Sequence, residues 1–109
     1  MDFLGKTAMV TGAASGMALL FCKEFVRLGG NVVMTDINGD TLEEKAAEIN
    51  AKNSGKAITK VCDVRNYEEV CAVRDLAVKT YGSIDVMVNL AGGAETRMLK
   101  ATGEFPDIP

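Results

Sequence analysis

Apolar residues along the chain alternate between short continuous runs and sets spaced for a helix face. Lys6 to Val10 is a mostly apolar run, the pattern of a strand buried on both faces within a parallel sheet. Met17, Leu20, Phe21, Phe25 and Leu28 then recur at helical spacing, which predicts a helix burying these large side chains, and Gly29-Gly30 supplies a left-handed stop. Asn31 to Thr35 predicts a second strand. Beyond it, Leu42, Ala46 and Ile49 mark the inner face of a second helix capped by Thr41 or Asp40, and Glu43, Glu44, Lys45 and Glu48 its solvated face. Asn53-Ser54-Gly55 breaks that helix. Ala57 to Cys62 predicts a third strand, and Asn66 or Arg65 opens a third helix carrying Val70, Val73 and Ala77 inward and ending near Tyr81-Gly82. Tyr67 and Tyr81 read as packing residues at its two ends. Ile84 to Val88 predicts a fourth strand. Gly93 to Pro109 shows no period and reads as loop, with one short helical turn around Thr96 to Ala101.

Four strands alternating with three helices through short connections specify an α/β fold with a parallel, doubly wound sheet. The length of 109 residues suits one modest domain, and 48% hydrophobic with 25% charged residues is an ordinary globular balance. Apolar runs fall well short of the roughly 18 residues of a membrane span, and the amino terminus does not read as a secretory signal. Cys22, Cys62 and Cys71 lack C-x-x-C spacing, so the expectation is apolar filler in a reduced, cytoplasmic setting, with neither disulfides nor a metal site. A net charge of −3 with interspersed signs offers no basic face for nucleic acid. Histidine is absent, which removes imidazole bases, Ser-His-Asp triads and histidine metal ligands from this chain.

The stretch with chemical content is Thr11 to Ala18, Thr-Gly-Ala-Ala-Ser-Gly-Met-Ala, between the first strand and the first helix. A turn there aims the unpaired N–H groups of the helix's first turn, and the positive end of its dipole, at one point suited to a phosphate. Gly12 permits the tight turn, Gly16 lets the backbone approach a pyrophosphate, and Ala18 lets helix and strand pack closely. The spacing differs from G-x-G-x-x-G, and an ordinary strand-to-helix turn is the alternative reading. Asp36 ends the second strand close to the roughly 20-residue offset at which dinucleotide folds place a ribose-binding carboxylate. A turn-forming role before Ile37-Asn38-Gly39-Asp40 is its alternative. No Arg or Lys lies just after Asp36 or between Gly12 and Gly16 to hold a 2′-phosphate, so the expected cofactor is NAD rather than NADP. Asp63, taken alone, is a cap or turn residue.

With Ala18 in the place of a final glycine, the turn resembles the Thr-Gly-x-x-x-Gly-x-Gly motif of the short-chain dehydrogenase/reductase family. Asn89-Leu90-Ala91-Gly92 resembles that family's Asn-Asn-Ala-Gly motif, with Leu90 replacing the second Asn. The resemblance implies a Rossmann-type sheet in the order 3-2-1-4, with a cofactor-binding portion over residues 1–92 and residues 93–109 as a loop bordering the substrate site. It implies cofactor contacts from Gly12, Ser15, Gly16, Met17 and Ile37, from Asp36 at the ribose, from Asp63 and Val64 at the adenine, and from Asn89, Ala91 and Gly92 along the crevice.

The family also protonates its substrate with a Tyr and a Lys four positions apart, helped by a Ser. Cys71 follows Tyr67 at that distance and Asp85 follows Tyr81, so the pair is missing and no catalytic residue is assigned. The expectation is therefore the amino-terminal cofactor-binding part of an NAD-dependent enzyme acting on a secondary alcohol or ketone. By itself the chain would be inactive, with strand 4 an uncovered apolar edge and homo-oligomers expected only of the full-length family member. The alternatives are a non-catalytic NAD-binding or interaction module, a truncated gene product, or a relative such as a nucleotide-sugar epimerase.

Overall fold

The computed structural model describes residues 3–53, 56–89 and 97–99. Along the chain run β1 (Thr7–Thr11), α1 (Gly16–Arg27), β2 (Asn31–Asp36), α2 (Gly39–Asn53), β3 (Ala57–Val61), α3 (Tyr67–Tyr81), β4 (Val86–Asn89) and β5 (Arg97–Leu99). They form one sheet in the order β3-β2-β1-β4-β5, with the first four strands parallel and β5 antiparallel to β4. The parallel order 3-2-1-4 and the three helices match expectation. The fifth strand does not. It replaces the helical turn expected around Thr96 to Ala101 and interrupts the loop expected over residues 93–109. It also pairs with the side of β4 expected to be an open edge.

Period-2 alternation divides the core between the two faces of the sheet. Ala8, Val10, Val32, Met34 and Val88 meet α1 and α2 through Ala18, Cys22, Phe25, Leu42, Ala46 and Ile49. Met9, Val33 and Met87 face the other way and meet α3 through Val70, Val73 and Ala77. β1 is buried along its whole length, as a central parallel strand must be.

The inner face of α1 differs from expectation. Ala18, Cys22, Phe25 and Val26 are its buried residues, whereas Met17 and Leu20 are 73% and 60% exposed. Helical spacing identifies a face without saying which face is inward, and here the small side chains Ala18 and Cys22 let the helix lie close on the sheet. Phe25 anchors the far end, stacked between Phe3 and Phe21 at centroid distances of 4.5 and 5.3 Å. Tyr67 is also exposed rather than packed. Tyr81 does pack at its helix end, where its hydroxyl donates to Lys56 O at 3.2 Å and burial raises its pKa.

Helix boundaries follow the backbone hydrogen-bonding needs of each end. α2 starts earlier than expected because Asn38, rather than Thr41 or Asp40, is its cap: Asn38 Oδ1 accepts from the Thr41 N–H at 3.3 Å. α3 is capped by Asn66, which accepts from the Glu69 N–H at 3.2 Å, and ends at Gly82 with φ 92°. At the outer edge of β3, the Asn50 side chain makes two bonds of 2.9 Å, one donated to Ala57 O and one accepted from Ala57 N–H.

Close packing at the end of α1 gives a direct test. A Cβ on Gly30 would collide with the Phe25 ring, which the flanking Phe3 and Phe21 rings hold in place. Gly30→Ala is expected to cost about 1–3 kcal/mol by overpacking, read as a lower denaturant midpoint. An unchanged midpoint would contradict this packing.

Candidate functional site

The carboxyl ends of β1, β2, β3 and β4 share one edge of the sheet. β1 pairs with both β2 and β4, so the order reverses around it, and that edge is where open parallel sheets bind ligands. The register aligns Thr11 with Thr35 on one side and with Asn89 on the other. Two side-chain contacts pin the distant strand β4 in place. Near the base, Asp85 Oδ2 accepts from the Thr7 N–H at 2.9 Å while the Asp85 N–H donates to Thr7 O at 2.8 Å. At the top, the Thr11 hydroxyl donates to Asn89 Oδ1 at 2.8 Å.

Past Thr11 the chain turns sharply. Gly12 and Gly16 both have φ 64°, a left-handed conformation that costs L side chains roughly 1–2 kcal/mol. Ala13 and Ala14 are buried beneath the turn, while Ser15, Gly16 and Met17 are exposed above it. A Cβ at Gly16 would meet no atom within 4 Å, so the space above the turn is open.

Ser15 is the α1 cap residue, with extended φ −158° and no side-chain cap bond, and the first turn carries no acid. The Leu19 N–H bonds to Ser15 O at 3.4 Å, which leaves the N–H groups of Gly16 and Met17 without intrahelical partners. Open space, unpaired donors and a first turn that carries no acid of its own suit a phosphate group.

Asp36 lies against this turn. Its Oδ2 accepts from the Ala14 N–H at 3.1 Å and its Oδ1 from the Asn38 N–H at 2.9 Å. The adjacent Ala13 N–H donates to Thr35 O at 3.0 Å, extending the β1–β2 ladder into the turn. A carboxylate has about four acceptor positions, so two remain after these bonds. Asp36 thus organises the turn, as its turn-forming alternative expects, and keeps spare acceptor capacity beside the first turn of α1. Ile37, next to it, is 66% exposed and forms an apolar rim.

On the neighbouring strand the Cys62 N–H donates to Asp36 O at 3.1 Å, which brings Asp63 to the same edge. Asp63 accepts the Arg65 backbone N–H in a tight turn, and its carboxylate is gripped by the Arg65 guanidinium at 2.9 and 3.1 Å. That guanidinium bond, with the Arg65 backbone bond second, holds the carboxyl down to about 2. Val64 is half-buried against the α3 side of the core. A recess of about 720 Å³ opens here, lined by Asp63, Arg65, Asn66, Tyr67 and Glu68.

Gly12, Ser15, Gly16, Met17, Asp36, Ile37, Asp63, Val64 and Asn89 therefore gather along one edge, whereas Ala91 and Gly92 lie outside the described residues. Sequence reasoning gave no role to Thr11, although it opens the motif, and offered Arg65 only as an alternative to Asn66 in opening the third helix, whereas Asn66 is the cap and Arg65 bonds the Asp63 carboxylate. The cysteines are free, and burial pushes Cys22 up to about 12, which keeps its thiol neutral. Among the described residues no group of His, Cys, Asp or Glu could hold a metal ion, and no helix is long and apolar enough to cross a membrane.

The sequence model described as short chain dehydrogenase matches residues 6–106. Over 93 residues the chain is 43% identical to 1-deoxy-11-beta-hydroxypentalenate dehydrogenase of Streptomyces exfoliatus, covering 84% of this chain and 33% of the relative. It is 36% identical over 89 residues to 7alpha-hydroxysteroid dehydrogenase of Escherichia coli K12, covering 82% and 34%. The chain thus spans about a third of the length of these curated relatives. Among solved structures, a short chain dehydrogenase/reductase from Burkholderia phymatum in complex with NAD superposes with a TM-score of 0.75 at 29% identity, over 80% of this chain and 31% of that one. L-sorbose reductase from Gluconobacter frateurii, complexed with NADPH and L-sorbose, gives a TM-score of 0.80 at 30% identity, over 87% and 36%.

The double use of Asp36 leads to a measurable expectation. Asp36→Ala removes both carboxylate bonds, so the Ala14 and Asn38 amides should exchange faster relative to those of β1, with about 1–3 kcal/mol lost from global stability. Unchanged protection at Ala14 would argue against the brace.

Proposed function

Since this chain belongs to the short-chain dehydrogenase family over residues 6–106, we propose that it is the NAD-binding part of an oxidoreductase. The complete enzyme would move hydride between the nicotinamide and a secondary alcohol or ketone. The observation that carries the reading is the junction of the Gly12–Gly16 turn with Asp36, joined by the 3.1 Å bond from the Ala14 N–H. What supports the reading is that N–H groups suited to a phosphate then lie beside a carboxylate with spare acceptor positions suited to a ribose.

In this reading the Gly16 and Met17 N–H groups hold the diphosphate, and the two remaining acceptor positions of Asp36 take the adenosine ribose hydroxyls. Ile37 and Val64 flank the adenine, whose amino group Asp63 receives. Thr11 and Asn89 hold the β1 and β4 ends together, with Ala91 and Gly92 assigned to the nicotinamide side of the crevice. Bound there, the dinucleotide supplies the hydride chemistry, and this chain's residues bind and orient it. Asp36 favours NAD because its carboxylate would repel a 2′-phosphate.

Among these 109 residues neither tyrosine is followed four positions on by lysine. A positioned acid must protonate the alkoxide formed when a ketone is reduced, and the chain has no such pair. The purified 109-residue chain is accordingly expected to bind NAD yet to generate no NADH from secondary alcohols. NADH formation free of host enzymes would overturn the non-catalytic assignment of this chain.

The cofactor choice is tested by titrating NAD and NADP against the wild-type chain and Asp36→Asn. The amide keeps one oxygen for the turn and loses the charge, so the preference for NAD should shrink on the order of tenfold, the value of one charged hydrogen bond. Equal affinity for both dinucleotides in the wild type would refute Asp36 as the discriminator.

A further inference from the structure

We infer that Arg65 is a positioning residue for the adenine end of the dinucleotide: it fixes the Asp63 carboxylate so that one acceptor position, on Oδ2, is presented to an exocyclic amino group. The inference rests on the reading of Asp63 given above. Its physical basis is the number of bonds at each oxygen. Asp63 Oδ1 accepts from the Arg65 backbone N–H at 3.0 Å and from Nε at 3.1 Å, whereas Oδ2 accepts from Nη2 at 2.9 Å. A carboxylate oxygen offers about two acceptor positions. Oδ1 is therefore filled, and Oδ2 keeps one.

The fork also removes a freedom that the turn alone would leave. With only the Arg65 backbone bond, Oδ1 is held but the carboxylate plane can rotate about it, so Oδ2 has no fixed direction. A planar guanidinium bonded to both oxygens fixes that plane.

The main chain beneath is fixed as well. The Asp63 N–H donates to Glu69 Oε1 at 3.2 Å, and Asp63 O accepts from the Asn66 N–H at 2.9 Å. Arg65 itself is 83% exposed, so replacing it opens no cavity in the core. As a plain surface ion pair it would contribute little to stability. Its effect is on the direction in which Asp63 accepts.

The probe pair that reads this direction is NAD and its hypoxanthine analogue, which has a carbonyl oxygen where adenine has its amino group. Dissociation constants for both are measured on the same sample of the 109-residue chain, so the ratio is independent of the fraction folded. Wild type should prefer NAD about tenfold, one hydrogen bond to a charged group. Asp63→Asn, which can place a donor at the Oδ2 position, should erase or reverse the preference. Arg65→Ala should bring it to about twofold or less with Asp63 intact, and Arg65→Lys, which restores the charge without the planar fork, should stay closer to Arg65→Ala than to the wild type.

Arg65→Ala with the full wild-type preference would overturn the inference while leaving the adenine role of Asp63 standing, and so would Arg65→Lys with the full wild-type preference, since a lysine lacks the planar fork. A wild-type chain that binds both dinucleotides equally and is unchanged by Asp63→Asn would overturn that role, and this inference with it.

Discussion

The site depends on one short connection, the hydrogen bond from the Ala14 N–H to the Asp36 carboxylate. A strand-to-helix turn with two glycines in the left-handed region has many backbone conformations available before folding, and a flexible loop pays conformational entropy whenever it binds an anion. Tying the middle of the turn to the end of the next strand removes that freedom in advance. The same carboxylate reaches the Asn38 N–H, and Asn38 in turn caps α2. One acid thus coordinates a loop, a strand end and a helix start, and it does so at the sheet edge where its charge is accessible to a ligand.

The parallel topology that makes this edge must bring together segments far apart in sequence. Thr11 and Asn89 are 78 residues apart and meet at 2.8 Å, and Thr7 and Asp85 span the same separation. Loop closure over such lengths is entropically costly, so contacts made only when β4 is correctly seated select its position and register. Asp85 satisfies a β1 backbone donor below the start of β4, and the Thr11 hydroxyl fastens the top. Displacing β4 by one residue would break both contacts and exchange the faces of Met87 and Val88, which are buried on opposite sides of the sheet.

Much of this was legible in the chain because the signals were local or strictly periodic. The runs around Met9, Val33 and Met87 read as buried strands, and Leu42-Ala46-Ile49 and Val70-Val73-Ala77 read correctly as inner faces. The glycine turn and Asp36 could be paired by spacing alone. Three features were not legible. The apolar stripe containing Met17 and Leu20 is as periodic as the true inner face, and only contact with the sheet shows that Ala18 and Cys22 pack there. The choice of Asn38 over Thr41 or Asp40 as a cap depends on Asp36 holding the Asn38 backbone, a tertiary bond between two local turns. Strand β5, whose residues lack alternation, is defined by its partner β4 rather than by its own composition.

The two bonds between Asn50 and Ala57 have a consequence for what the sheet cannot do. A primary amide carries the same donor and acceptor as a peptide unit, so Asn50 fills, from the protein's own helix, the first docking position that an incoming β-strand would use along β3. A foreign strand approaching there would have to displace an intramolecular mimic already at bonding distance before making any bond of its own. At Ala57 the outer side of β3 is thus already bonded from within the molecule before any second chain arrives.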